Sequence, residues 1–283
     1  MLIKSAVTQA QKKVGLSTTQ PALPARSMLQ VWTEAVSDST SKPAFTCLGQ
    51  TLSYGEIDQL SRRVASYLQK RLKLQAGDRI AIQLPNLIQY PVVAIAAMKL
   101  GLVIVNTNPM YSVRELVHQF NDAGVKAVIV LDQFYDVLAE AAPQTSVEHI
   151  IVTRALDLMS PSKQTLLGGL MMLMGKRPRI KGQDIIDFKD LLAGGTSYGN
   201  HRASVDDICA LQYTGGTTGP SKGVMLTQSC LTANVAQALD VISVASESAR
   251  YSVTALPLPL YHIYAFSLCV GVLPALRGHS VLI

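Results

Sequence analysis

The chain predicts an α/β fold, and three observations carry that prediction. Strand-like and helix-like stretches take turns from residue 53 to residue 153. The strands in that series are continuous apolar runs rather than alternating ones, as expected for a parallel sheet covered on both faces. Hydrophobic residues make up 48% of 283 positions, ample for a sizeable core.

Taken in order, Met1 to Gln20 hold lysines but no apolar core and no small-residue cleavage pattern. Residues 1–20 are therefore expected as a flexible polar tail and not a secretory signal. Pro21 and Pro24 mark an extended lead-in to a helix starting near Ser27. Ala44 to Leu52 reads as a hairpin centred on Gly49-Gln50. Ser53-Tyr-Gly-Glu56 is a capping box, followed by Ile57, Leu60, Val64, Leu68 and Leu72 as one buried helical stripe.

Arg79 to Leu84 then reads as a strand, Leu87 to Leu100 as an apolar helix, and Leu102 to Val105 as a strand ending at Asn106-Thr-Asn-Pro109. A second capping box, Ser112-Val-Arg-Glu115, opens a helix that stops at Gly124. Val125 to Leu131, a further helix and the strand His149 to Thr153 complete the series. The apolar stretch Val92 to Val105 is too short to cross a bilayer of about 30 Å and belongs to the core.

Residues 165–175 form an apolar run with three methionines, followed by Lys176-Arg-Pro-Arg179 and Lys181. Two readings stay open for Leu166 to Lys181. It is a peripheral contact with an anionic membrane face, or a hydrophobic surface loop or subunit contact in a homodimer, since Gly168-Gly169 weakens any helix. Gly194 to Gly199 is a loop, and a boundary near residue 206 divides a first α/β part, 21–205, from a second, 206–283.

The four cysteines lie far apart without paired spacing. They fit reduced thiols in a cytoplasmic chain better than disulfides or a zinc site, and no metal ligands are assigned. A net charge of +6, with scattered basic residues, suits anionic substrates and gives no argument for nucleic acid.

The chemistry concentrates after residue 208. Ile208 to Tyr213 reads as a buried strand that enters a loop with Gly215, Gly216, Gly219 and Gly223, and Val224 to Leu226 reads as a second strand. Glycines let successive backbone N–H groups converge on an anion. Thr214, Thr217, Thr218 and Ser221 add hydroxyls, and Lys222 adds a full positive charge. The natural ligand is a polyphosphate. A Walker A loop would open directly into a helix after Gly-Lys-Ser/Thr, whereas here Ser221 precedes Lys222 and a strand follows. A solvated glycine-rich hairpin is the bland alternative.

Thr227 is placed to cap a helix over residues 228–241, and Ser252 to Leu256 returns as a strand. Leu256-Pro-Leu-Pro-Leu-Tyr-His-Ile-Tyr-Ala-Phe266 then sets His262 at a strand-to-helix junction, where ligands of open α/β sheets sit. His118, His149, His201 and His279 have no such context and read as structural or solvated.

Tyr213-Thr-Gly-Gly-Thr-Thr-Gly-x-x-Lys222-Gly closely resembles the signature loop of the adenylate-forming superfamily of acyl-CoA synthetases, luciferases and peptide-synthetase adenylation domains. The resemblance runs from about Thr51 to the end. Asn106-Thr-Asn-Pro-Met-Tyr111, Arg114-Glu115 and Leu256 to Phe266 look most like bacterial long-chain fatty acid CoA ligases. Gln228 departs from the histidine of many relatives, and the doubled Leu-Pro before Tyr261 is slightly unusual.

The resemblance implies that Thr214, Gly215, Gly216, Thr217, Thr218, Gly219, Ser221, Lys222 and Gly223 hold the phosphates of ATP·Mg²⁺. It implies further that Tyr261 and His262 line the acyl and adenylate pocket, with His262 nearest the chemistry, and that a fatty acid becomes acyl-AMP and then a coenzyme A thioester. An aryl or medium-chain acid ligase, a fatty acyl-AMP ligase and a non-catalytic nucleotide-binding module are the rivals. Family members run about twice this length, with a second adenylate motif, a hinge aspartate and a catalytic lysine domain expected beyond Ile283. On that view residues 1–283 alone make little or no acyl-CoA, and Ser280 to Ile283 is an apolar strand exposed at a sheet edge.

Overall fold

The computed structural model describes residues 9–13, 15, 27–173, 185–215, 220–245 and 249–283. Helix α1, Met28–Ser39, starts from Ser27, whose side chain accepts from the Gln30 backbone while Gln30 reciprocates. The hairpin of β1, Pro43–Cys47, and β2, Gln50–Ser53, turns at Leu48-Gly49, one residue earlier than expected, because both take positive φ, +50° and +72°. Helix α2, Tyr54–Lys70, opens on the Ser53–Glu56 capping box and buries Ile57, Val64 and Leu68, with Leu72 falling just past its end.

Strand β3, Arg79–Gln83, leads to α3, Gln89–Leu100, in which every residue is buried. A helix apolar all round belongs in an interior. Strand β4, Val103–Asn106, is followed by α4, Val113–Ala123, which opens on the Ser112–Glu115 box and ends at left-handed Gly124. Strand β5, Val125–Leu131, α5, Tyr135–Ala141, and β6, His149–Thr153, come next.

Helix α6, Pro161–Leu173, runs through Gly168-Gly169, the pair expected to weaken it. Leu166 on it is 74% exposed. The basic residues 176–181 lie outside the described residues. No helix among the described residues is long and apolar enough to cross a membrane. Strand β7, Ile185–Asp187, and α7, Phe188–Ala193, precede the loop at 194–207.

Seven strands form one sheet in the order β7-β6-β5-β3-β4-β8-β9, where β8 is Ile208–Thr214 and β9 is Lys222–Thr227. All its neighbours pair in parallel except β8 and β9. Its two faces bury different sets. Ile80, Ile82, Ile104, Ile129 and Ile151 join the larger core with α1 to α3, and Ala81, Val105, Val128, Val130 and Val152 join the core under α4 and α5. Both faces are covered, as the continuous apolar strands imply.

Helix α8, Gln228–Ala245, β10, Val253–Leu256, α9, Ile263–Ser267, a π-helical stretch over Leu268–Val272, and β11, His279–Leu282, finish the chain. A second sheet, not foreseen as such, has the order β10-β11-β1-β2. Strand β11 pairs in parallel with β10 on one side and β1 on the other. The expectation that Ser280 to Ile283 exposes a sheet edge is therefore wrong, because β1 comes from more than 200 residues away and fills that edge. Residues before and after 206 contribute to both sheets.

Candidate functional site

The carboxyl ends of β3, β4, β8 and β10 converge on the chemistry-bearing stretches. From β4 the chain crosses back over β3 to β5, while from β8 it turns outward to β9. Loops that diverge in this way leave a crevice at the carboxyl ends, the usual ligand position in α/β sheets.

The glycine loop is the connection of the β8–β9 hairpin, and its last cross-strand pair is Thr214 with Lys222. Thr214, Gly215 and Lys222 are exposed, and Ser221 is half-buried. None of the ion pairs among the described residues uses Lys222. Gly216, Thr217, Thr218 and Gly219 lie outside the described residues. Gly223 sits directly across from Tyr213, and a Cβ on it would lie 3.0 Å from the Tyr213 ring. Any side chain there would press on that ring unless it shifted by a few tenths of an ångström, whatever the loop binds.

Helix α4 holds both stems of the hairpin. The Tyr213 hydroxyl donates to Asp122 Oδ2 at 2.5 Å, and His118 Nε2 donates to the Ser221 carbonyl at 2.8 Å. Burial and the Asp122 carboxylate push the Tyr213 phenol well above its usual range, so it stays a donor. His118, read from sequence as structural or solvated, thus anchors the residue before Lys222. Its signal was spacing, since His118 and Asp122 stand one turn apart on one helix face.

His262 is the N-cap of α9, exposed, with φ −90° and ψ 137°. Its backbone N–H donates to the Pro259 carbonyl at 2.9 Å, which closes the turn through Tyr261. Two amides hold this turn from opposite sides. Asn86, after β3, accepts from the Leu260 backbone at 2.9 Å, and its Nδ2 faces the carbonyl oxygens of Leu256, Leu258 and Ile283 at 3.1, 3.1 and 2.9 Å. Gln212 Nε2 on β8 donates to the Tyr261 carbonyl at 3.3 Å. Neither amide stands out in the sequence, since each sits in an apolar run and finds its partner only in the folded chain.

Tyr111, from the loop after β4, shares this region. Burial, then Glu115 and Tyr261, push its phenol above the usual value. Beside the turn, α8 and the α9–π segment enclose a cavity of about 360 Å³ lined by Leu226, Leu231, Ala238, Ile263, Leu268 and Val272, with Cys230, Asn234, Tyr264 and Ser267 as its polar members. A cavity with this lining suits an apolar group. Helix α8 is set by Thr227, whose hydroxyl accepts from the Cys230 backbone at 3.2 Å. Gln228 also has a place, accepting from the Met28 backbone at 2.9 Å and so tying α8 to the start of α1.

The profile of the family described as AMP-binding enzyme matches residues 32–283. The long-chain-fatty-acid–CoA ligase of Salmonella typhimurium is 34% identical over 282 residues, which cover 96% of this chain and 50% of that protein. The ligase of the same name from Haemophilus influenzae is 37% identical over 245 residues, covering 85% and 44%. Among solved structures, a long-chain-fatty-acid-CoA ligase from Archaeoglobus fulgidus superposes with a TM-score of 0.73 at 22% identity, over 92% of this chain and 48% of that one. The chain thus spans about half the length of the curated relatives it matches. The match over residues 32–283 places the chain in the AMP-binding enzyme family.

Proposed function

We propose that the full-length protein is a long-chain fatty acid–CoA ligase that joins a fatty acid to AMP and then to coenzyme A. The observation that carries this reading is the donor-rich sequence of the β8–β9 hairpin, with Thr214 and Lys222 paired and exposed at its mouth, together with the mostly apolar cavity lined by Ile263 and Leu268 just after His262. The carboxylate attacks the α-phosphorus of ATP, the bond from that phosphorus to the bridging oxygen breaks, and pyrophosphate leaves. Negative charge grows on the departing phosphates, and fixed donors with Lys222 neutralise it without reorganising. His262 and Tyr261 shape the meeting point of carboxylate and phosphate. The coenzyme A thiol then displaces AMP from the acyl carbon.

Magnesium enters this reading with the nucleotide. It keeps water ligands readily and binds phosphate oxygens, and the described residues hold no cluster of three or more potential metal-binding side chains. Hydroxyls and an ammonium group at the hairpin fit a metal carried by phosphates better than one caged by protein. In this reading residues 21–205 and 206–283 are consecutive parts of the nucleotide-binding portion, in the cytoplasm. The exposed Leu166 on α6 is the point at which a peripheral membrane contact, or a second subunit, would be sought.

The test is acid-dependent exchange of pyrophosphate into ATP by the full-length protein, run over long-chain, medium-chain and aromatic acids, with coenzyme A consumption followed separately. Long-chain acids should support the fastest exchange, and coenzyme A should be consumed. Preference for an aromatic acid, or exchange without thioester, would overturn the assignment.

A further inference from the structure

We propose that Gln212 is a positioning residue for the Tyr261-His262 turn, its amide held in one orientation by a directional chain of hydrogen bonds that begins at Tyr90. The proposal rests on the reading of that turn as part of the reaction site.

The chain runs across three elements. The Tyr90 hydroxyl on α3 donates to Asn106 Oδ1 at the end of β4. Asn106 Nδ2 donates to Gln212 Oε1 on β8 at 3.1 Å, and Gln212 Nε2 donates to the Tyr261 carbonyl. Asn106 and Gln212 are register partners in adjacent parallel strands, so their amides meet without strain. Tyr90, Asn106 and Gln212 are all buried, at 0%, 2% and 9% exposure.

Direction is what the chain transmits. An amide can lie either way round, but a buried phenol remains a donor, and burial keeps the Tyr90 proton in place. Asn106 must then offer its oxygen to Tyr90 and its NH₂ to Gln212. Gln212 in turn must offer its oxygen to Asn106, which leaves its NH₂ facing the Tyr261 carbonyl. The reverse orientation would set oxygen against oxygen. The backbone of Asn106 is pinned as well, its carbonyl accepting from Gln119 Nε2 at 3.1 Å. Buried polar side chains cost stability unless fully paired, and same-face strand neighbours such as Ile104 and Ala210 show that apolar residues suit this layer. A polar row here does what an apolar one would not: it grips a backbone carbonyl one residue before His262.

The experiment is pyrophosphate exchange in the full-length protein with Gln212→Met, Gln212→Glu and His262→Ala. Gln212→Met keeps the volume and removes both bonds, so kcat for exchange should fall roughly ten- to a hundredfold with KM for ATP nearly unchanged, while melting temperature falls modestly because Asn106 Nδ2 and the Tyr261 carbonyl lose their partner. Glu at this position mimics the amide when protonated, accepting from Asn106 and donating to Tyr261, and fails when ionised. The ratio of Gln212→Glu to wild-type rates should therefore be near unity at about pH 5.5 and drop by pH 9, since burial raises a carboxyl pKa. Taking the ratio cancels pH effects common to both proteins. Wild-type exchange in Gln212→Met, or a pH-independent ratio for Gln212→Glu, would overturn the proposal. Unimpaired exchange in His262→Ala would instead overturn the underlying reading of the turn.

Discussion

At the scale of single residues, Gly223 and Tyr213 show how packing and chemistry share a motif. Gly223 was assigned to the phosphate loop by resemblance, yet its neighbour in the fold is the Tyr213 ring, which Asp122 holds by its hydroxyl. A ring tethered at its tip resists that shift. Gly223→Val should therefore destabilise the chain by about 1–3 kcal/mol, the usual cost of overpacking, and thermal unfolding checks this. Tyr213→Phe, which removes only the hydroxyl, should cost about 1 kcal/mol and leave the hairpin otherwise intact. A Gly223→Val protein as stable as wild type would mean that the ring is free to move.

At the scale of elements, α3 is the least conventional piece, a wholly buried helix that carries a lysine. Lys99, 3% exposed, pairs with Asp58 on α2 at 2.6 Å, and Asp58 also accepts from Trp32 and Arg62. Burial works to raise the Asp58 pKa, but Lys99, Arg62 and Trp32 outweigh it and hold the carboxyl below its ordinary range. Burial above all, with the Arg62 charge adding to it, pulls Lys99 down, and Asp58 only partly restores it. Asp58→Ala would strand that ammonium in the core, and its expected cost is about 3–5 kcal/mol. Lys99→Met leaves Asp58 its other two donors, so roughly half that cost or less is expected. Chemical denaturation of both variants decides it, and equal losses would contradict the asymmetry.

Most elements were legible because their signals are local. Two Ser-x-x-Glu boxes, the αL glycine at Gly124 and the apolar runs of β5 and β6 each act within a few residues. The second sheet was not legible, since β1 and β11 meet across the length of the chain and neither strand names its partner. The same holds at the site. The glycine loop and His262 announce themselves by composition, whereas Asn86 and Gln212 act through backbone carbonyls of distant segments with no pattern in their own neighbourhoods to mark them, and His118 offers only its one-turn spacing from Asp122.

At the scale of the whole molecule, stability should depend on pH in two stages. His279 in the small sheet is held below its ordinary pKa by burial, with Nε2 at 2.7 Å from the Thr46 hydroxyl. Its folded form binds fewer protons than the unfolded chain, so its contribution is complete above about pH 6.5 and declines as pH falls below it. Asp58 and Asp207 are held low, the latter by the Ser204 backbone and then His201. Their contributions persist above the ordinary carboxyl value of about 3.9 and are lost as pH falls through the lower folded values. Melting temperature should therefore slope gently below pH 6.5 and steeply below about 4. His279→Gln should remove the gentle slope only, and an unchanged slope would place its origin elsewhere.

The architecture draws carboxyl ends from both sheets to one crevice, and its function turns on whether the β8–β9 hairpin there holds the phosphates of a nucleotide. The most direct measurement is pyrophosphate exchange by the full-length protein with Lys222→Ala. Removing the exposed charge opposite Thr214 should lower acid-dependent exchange by roughly a hundredfold or more, as loss of a charge-stabilising donor does elsewhere, with the fold unaltered. Exchange at the wild-type rate would contradict the assignment of this hairpin to phosphate binding.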